Sequence, residues 1–307
     1  MNYTLHQLRI FLKVAELGSI TKASEQLHLT QPAVSIQLKK LQEQFDIPLT
    51  EVIGRKLYVT DFGREIAARS QRILDEVDGI KFTIDQYKGK LSGKIKISVV
   101  STGKYVIPYF LKRFMDQYPA VDISIDVSNR NRVIEGVHKN ESDFSLVSIM
   151  PEGIEVERIE LMENKLILAC GADSKDVVKT PKDLENVTLL FREDGSATRR
   201  QMEMYLEQNN VSVNKSMELV SNEAVKQAVN AGLGYSIMPL IGLKSSLVNK
   251  SIKIVPLKGL PITTRWNLIY SKGKKLTPAQ QALIDFIEES KEKILLDTFD
   301  WVSDYLK

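Results

Sequence analysis

Nucleophilic and metal chemistry depend on histidine, cysteine or paired carboxylates in particular arrangements. This chain has few of the first two: His6, His28 and His138 are its histidines and Cys170 its one cysteine. No Ser-His-Asp or Cys-His set and no metal-ligand spacing can be built from them. Gly232-Leu233-Gly234 lacks the third glycine of a dinucleotide fingerprint. Cys170 follows Leu166-Ile167-Leu168-Ala169 and reads as a small buried hydrophobe. The expectation is a chain that is not an enzyme and carries no cofactor and no metal. What remains is recognition chemistry, of two kinds. Gln31, Ser35, Lys39 and Gln42, with Gln37 and Lys40 near the edge, offer amides, a hydroxyl and ammonium groups at helical spacing. Such a face suits base edges in a DNA major groove. Further along, Ser101-Thr102-Gly103-Lys104, Ser128-Asn129-Arg130, Ser148, the run Arg192 to Arg199 and Ser221-Asn222-Glu223 combine hydroxyls, amides and cations, which suits a small anion.

The first set needs a helix held at a fixed angle. Leu5, Leu8, Phe11, Leu12 and Ala15 predict a first amphipathic helix ending near Gly18. Ser19 is placed to cap a second helix, Thr30 a third, and Pro32 falls in the third helix's first turn, where a missing N–H costs nothing. Val34, Leu38, Leu41 and Phe45 give that third helix one buried stripe. The core expected around these helices is Phe11, Val14, Ala23, Leu27, Val34 and Leu38. Taken alone, residues 18–45 fit a DNA-reading helix-turn-helix and an ordinary helical hairpin with a solvated polar face about equally well. Gly54-Arg55-Lys56 then forms a turn between two β-prone runs, a small wing presenting Arg55 and Lys56 to phosphate or a minor groove. Three helices followed by a wing favour DNA.

At this point the chain resembles the LysR-type transcriptional regulators. The matching residues include Leu8, Phe11, Val14-Ala15-Glu16, Gly18-Ser19, Thr21, Ala23, Leu27, Gln31-Pro32-Ala33-Val34-Ser35, Leu38, Leu41, Pro48-Leu49, Arg55, Val59-Thr60 and Gly63. Thr50 and Asp46 depart from the family's usual Phe and Gly, both beside the wing. The resemblance implies DNA contacts from Thr21, Gln31, Pro32 and Ser35, with Arg55 from the wing; the polar helix face adds Lys39 and the turn adds Lys56.

A long helix is expected from Asp61 to about Leu91. Ile66, Ile73, Ile80 and Tyr87 share one heptad position, and Ser70, Val77, Ile84 and Leu91 the other. Such a seam predicts a homodimer, from which a homotetramer can be built, rather than packing onto the chain's own next domain. Beyond Gly93, strand-like and helix-like runs alternate, which implies parallel sheets in two α/β lobes. Ligands bind outside the carboxyl ends of strands in such sheets. The candidate effector residues are Ser101, Thr102, Gly103, Lys104, Asn129, Arg130, Ser148, Arg192, Ser196, Ala197, Thr198 and Asn222, with Arg199 nearby. Any one of these hydroxyls and amides could instead only cap its helix. Two lobes with a cleft match the periplasmic-binding-protein-like effector domain of LysR regulators.

Within the family, Ser101-Thr102-Gly103-Lys104-Tyr105, residues 129–133, 192–199 and 221–234 are similar to the Calvin-cycle (RuBisCO) operon regulator branch, CbbR. That branch responds to phosphorylated metabolites or NADPH, which agrees with the anion chemistry; a carboxylate effector is the alternative. The resemblance implies double-stranded DNA and a small-molecule effector as partners, with RNA polymerase as a further one.

Charge agrees with the division. Residues 1–94 carry 14 Lys+Arg against 11 Asp+Glu, and the rest of the chain is balanced, so the net +3 lies wholly in the N-terminal third. No apolar run approaches the roughly 20 residues of a membrane span, and Leu5 to Leu17 is broken by Arg9, Lys13 and Glu16, unlike a signal peptide. The expected compartment is the cytoplasm, with no membrane partner; a cytoplasmic solute-binding protein, or an enzyme, is the reading of another class. The expected organisation is a winged helix-turn-helix at 1–60, a linker helix at 61–92 and an effector domain at 93–307. Its lobe I is about 93–164 and 267–307, its lobe II about 165–266. The tail from Asp297 to Lys307 has no assigned role.

Overall fold

A computed structural model describes residues 2–54, 56–87, 90–175 and 177–306; the side chains of 78 and 81–87 lie outside that description. The chain falls into two compact units, Met1–Lys90 and Leu91–Lys307.

In the first unit, α1 (Leu5–Leu17) starts at a Thr4–Gln7 capping box and stops at Gly18, whose φ of 57° is the left-handed conformation glycine adopts without strain. Ser19 caps α2 (Ile20–Gln26), and Thr30 caps α3 (Gln31–Gln42), with Pro32 in its first turn. Leu8, Ile10, Phe11, Val14, Ala23, Val34, Leu38, Leu41 and Leu49 form the core, with Leu27 and Phe45 partly buried at its edge. Burying each large side chain contributes ~1.5–3 kcal/mol, so this cluster fixes the angle at which α3 is presented. Phe45 lies beyond the end of α3, stacked on Tyr3 and edge-on to Phe62. The wing is the antiparallel pair β1 (Thr50–Ile53) and β2 (Lys56–Val59). Thr60 Oγ1 accepts from Gly63 N at 2.9 Å and opens α4 (Asp61–Tyr87). A Cβ on Gly63 would sit 2.0 Å from the Leu49 carbonyl oxygen, so α4 can approach the wing only with glycine there.

The heptad expected along α4 divides in use. Ile66 packs on the core of its own unit, and buried Ser70 donates to the Ile66 carbonyl. Ile73 and Ile80 are exposed, 40% and 62%. Leu91 follows the helix rather than continuing it and packs on the core of the second unit. Ile84 and Tyr87 lie outside the described side chains.

The second unit opens with β3 (Gly93–Val100), a 3-10 turn at Gly103–Tyr105 and α5 (Ile107–Gln117). The helical run after β3 therefore begins only past the turn, at Ile107. β4 (Val121–Ser128), α6 (Arg130–Lys139) and β5 (Phe144–Val147) follow. α6 starts at Arg130 because Asn129 caps it by accepting from Arg132 N. β4 is an edge strand whose residues after Val121 are mostly exposed.

Next come β6 (Val156–Gly171), β7 (Thr188–Arg192), α7 (Ala197–Gln208), β8 (Lys215–Leu219), α8 (Asn222–Asn230) and β9 (Ser236–Pro239). The chain closes with α9 (Lys244–Val248), β10 (Ile252–Val255), β11 (Ile262–Ser271), α10 (Pro278–Phe299) and a 3-10 turn at Asp300–Tyr305. β3 runs parallel to β4 and β5, and β7 parallel to β8, as the alternating pattern implies. The long antiparallel pair β6–β11 joins the two lobes, with a register shift at Trp266/Asn267; β9 and β10 then pair the far half of β6. This antiparallel spine is not anticipated by a βαβ reading, since its partners lie about a hundred residues apart.

One cluster around Phe110, Phe114, Phe144 and Trp266 is the core of lobe I. Lobe II has two, with Leu166, Leu168 and Cys170 in one and Ile167 and Ala169 in the other. Alternate residues of a strand face opposite ways, so the unbroken apolar run there is a strand covered on both faces. The tail needs a correction. α10 is buried in lobe I, but Trp301, Val302 and Tyr305 pack on a lobe II core, and Lys244 Nζ lies 5.3 Å from the Trp301 ring centroid. Residues 301–305 thus bridge to the second lobe instead of completing the first.

Candidate functional site

On α3 the residues Gln31, Pro32, Ser35 and Lys39 are all exposed. Gln31, Ser35 and Lys39 are spaced four apart and share one face, opposite buried Val34, Leu38 and Leu41. Thr21 is exposed on α2, and Lys56 is exposed on the wing. Arg55 lies outside the described residues. Gln42 is not available to a partner: its Oε1 accepts from Leu49 N and its Nε2 donates to Ile47 O, so it fastens the loop after α3. The sequence reading passed over Ile36. It stands 53% exposed beside Pro32 and Lys39, an apolar surface of the size that contacts a thymine methyl. Its signal was there to find, an apolar residue off the buried stripe of α3.

In the second unit, β3 and β7 bring their carboxyl ends to the same cleft. Arg192, at the end of β7, is 3% exposed. Its Nε and Nη2 each donate to Glu193 at 2.7 Å, and Nη2 also reaches Ser101 Oγ across the cleft at 3.1 Å. Nη1 is buried without a hydrogen-bond partner among the described residues. Asn222, 2% exposed, donates from Nδ2 to the same Ser101 Oγ at 3.2 Å. Three residues expected from separate stretches therefore meet at one hydroxyl. Ser196 and Asn129 cap α7 and α6, and Ser221 caps α8, which leaves helix N-termini around the cleft. Thr102, Ser148 and Thr198 are buried, while Lys104 and Ala197 are half-buried. Thr102 makes no capping bond, and a Cβ on Gly103 would meet Leu146 and Val99 at 2.7 Å, so the chain turns tightly there.

Other contacts close the lobes on each other. Asn131 N donates to Gly195 O at 3.3 Å, and Arg200 pairs with Glu152 at 3.6 Å. Burial, and then the nearby Arg200, lower the pKa of Arg130, whose Nε is also unpartnered. Tyr105 packs its ring against Gly242 of the second lobe. Burial, and then Glu223, push its phenol up to about 12. Arg199 is turned away: Nε bonds Glu203 and Nη1 bonds Glu218, which hold its pKa raised and its charge out of the cleft. Among the described residues no cluster of three or more His, Cys, Asp or Glu side chains could hold a metal, and no helix is long and apolar enough to cross a membrane.

Comparison with known proteins gives this architecture its place. Residues 5–64 match the family of bacterial regulatory helix-turn-helix proteins of the lysR type, and residues 88–292 match the LysR substrate binding domain. The transcriptional activator CmpR of Synechocystis sp. is 35% identical over 296 residues, covering 95% of this chain and 97% of CmpR. The regulator CbbR of Rhodospirillum rubrum is 35% identical over 285 residues, covering 92% and 95%. The regulatory domain of Synechocystis CcmR, solved in complex with 2-PG, superposes with a TM-score of 0.62 at 28% identity, over 66% of this chain and 98% of that domain. With a winged helix-turn-helix, a two-lobed α/β domain and relatives of this kind along nearly its whole length, the chain belongs to the LysR family of transcriptional regulators and is similar within it to the CbbR and CmpR regulators.

Proposed function

We propose that this protein is a cytoplasmic, non-enzymatic regulator whose cleft binds a small phosphorylated anion and whose α3 and wing read duplex DNA. The observation that carries the effector half is Arg192. A guanidinium almost wholly buried, with two donors fixed by Glu193 and Ser101 and Nη1 left unpartnered, is poised to take an acceptor from a ligand. Ser101, Asn222 and the N-termini of α7 and α8 supply neutral donors around it, with Lys104, Arg130, Thr102, Ser148, Ser196 and Thr198 at the walls. Such ends favour phosphate. CcmR, whose regulatory domain was solved in complex with 2-phosphoglycolate, offers a chemical precedent.

The DNA half rests on α3. Gln31 and Ser35 offer hydrogen bonds to base edges, Ile36 a methyl contact, and Lys39, Lys56 and Thr21 phosphate contacts. Exposed Ile73 and Ile80 on α4 supply the seam through which a second copy joins, so two recognition helices meet a two-fold-related operator. Effector binding changes the balance between lobe arrangements, and through the assembly it changes how the DNA is held.

The reading is tested by thermal unfolding of the full chain with 2-phosphoglycolate, inorganic phosphate and glycolate. A ligand that binds only the folded state raises the midpoint in proportion to its occupancy. The expected order is 2-phosphoglycolate above phosphate above glycolate, with the first also shifting the footprint on operator DNA. No shift with any phosphorylated anion would remove the effector assignment, and equal affinity for operator and random duplex would remove base readout.

A further inference from the structure

Arg192 is the deepest cation between the lobes, yet it does not present a net charge. Glu193, the next residue in the chain, grips it side-on through Nε and Nη2, both at 2.7 Å. The carboxylate is 17% exposed and the guanidinium 3%, so the pair sits where solvent screens it poorly. Backbone bonds hold Glu193 in place: its N–H donates to Leu219 O at 3.1 Å, and its carbonyl accepts from Ser196 N at 3.3 Å. Glu193 thus belongs to both the β7–β8 edge and the start of α7, and its backbone is fixed where its carboxylate meets the guanidinium.

We propose that Glu193 is the residue that sets the charge selectivity of the effector site. Resting on the anion site proposed above, its role is that of a built-in counterion. It orients the Arg192 plane so that Nη1 faces the ligand, and it cancels the long-range attraction that a bare buried guanidinium would exert on any anion. The ligand is then selected for fitting Nη1, Ser101 and the helix ends together, and weakly charged or misshapen anions gain little from Arg192. A carboxylate this close to the bound ligand also opposes each additional negative charge on it. By general electrostatics, a like charge within about 6 Å inside a protein shifts an anion's affinity by about tenfold or more.

The test is Glu193→Gln in the full chain, measured by titration calorimetry with 2-phosphoglycolate, inorganic phosphate and sulfate at two ionic strengths. The variant should bind all three anions more tightly, with the largest gain, about tenfold or more, for 2-phosphoglycolate, which carries the most negative charge, and smaller gains for sulfate and inorganic phosphate. Selectivity should therefore shift toward the most highly charged anion, and the salt dependence should steepen. Glu193→Asp keeps the charge with a shorter reach and should stay close to the native selectivity, which separates charge from folding. Unchanged or weakened binding of all three anions by a folded Glu193→Gln protein overturns the counterion role while leaving the effector site standing. Absence of binding in both the native protein and the variant overturns the site and this inference together.

Discussion

Helix α3 and the interlobe cleft are the two surfaces proposed for recognition, and they are assembled on opposite plans. On α3 the candidate contact residues lie within one helix of 12 residues, exposed, each side chain largely independent of the next. In the cleft, Ser101 meets Arg192 and Asn222 across 91 and 121 residues of chain, and these polar groups are buried and share partners. A surface of the first kind changes a residue at a time, with nearly additive effects. A surface of the second kind is coupled, so one substitution alters the hydrogen bonding of its neighbours. This suits what each must meet. A DNA groove is long, wet and repetitive; a small anion has to be surrounded and desolvated by groups already in place.

The contrast can be broken at several points. The largest effect is expected from Ile73→Asp with Ile80→Asp, which charges the exposed seam of α4. Sedimentation should show monomers, and operator affinity should drop by roughly a thousandfold as one half-site is lost. An intact dimer would show that α3 is paired by some other surface. Arg192→Met comes next. It leaves Glu193 without its partner and removes the Nη1 donor, for a loss of roughly 3 kcal/mol or about a hundredfold in 2-phosphoglycolate affinity by calorimetry, with effector-free DNA binding unchanged. Gln31→Ala should cost about 1–3 kcal/mol at the operator and little on random duplex in fluorescence anisotropy. Equal losses on both would make α3 a phosphate-binding helix. The smallest change is expected from Ile36→Ala, about 1 kcal/mol, confined to operators with thymine opposite it and read by competition with uracil-substituted DNA. A double variant of Gln31 and Ile36 should be close to additive, whereas Arg192→Met with Asn222→Ala should not.

The same contrast governs how much could be read from the chain. The helix starts at Ser19 and Thr30 are local events, set by one side chain and the N–H three residues on. Periodicity located α1, α3 and α4 for the same reason. The errors fall where a distant partner decides. Gln42 has the composition of a DNA-facing residue, but Leu49 N and Ile47 O claim its amide. Arg199 has the composition of a ligand-binding cation, but Glu218, on the neighbouring strand, turns it outward. The antiparallel spine of β6 and β11 has no local signature, because strand partners this far apart are chosen by packing and not by a turn.

The amino-acid order by itself determined the winged three-helix unit, the long helix after it, the alternation of strands and helices beyond Gly93, and the stretches from which a binding cleft would be made. Each depends on interactions within a turn or two of helix, or on the alternation of neighbouring side chains. Only the tertiary structure decided which of those stretches converge, that Arg192 is neutralised by its own neighbour while keeping one donor free, and that the tail crosses to the second lobe. The reason is physical. Burial and convergence are properties of groups brought together by the whole fold: Ser101 lies 91 residues from Arg192, and although Glu193 is adjacent in the chain, only the packing around the pair turns its carboxylate onto that guanidinium and buries both.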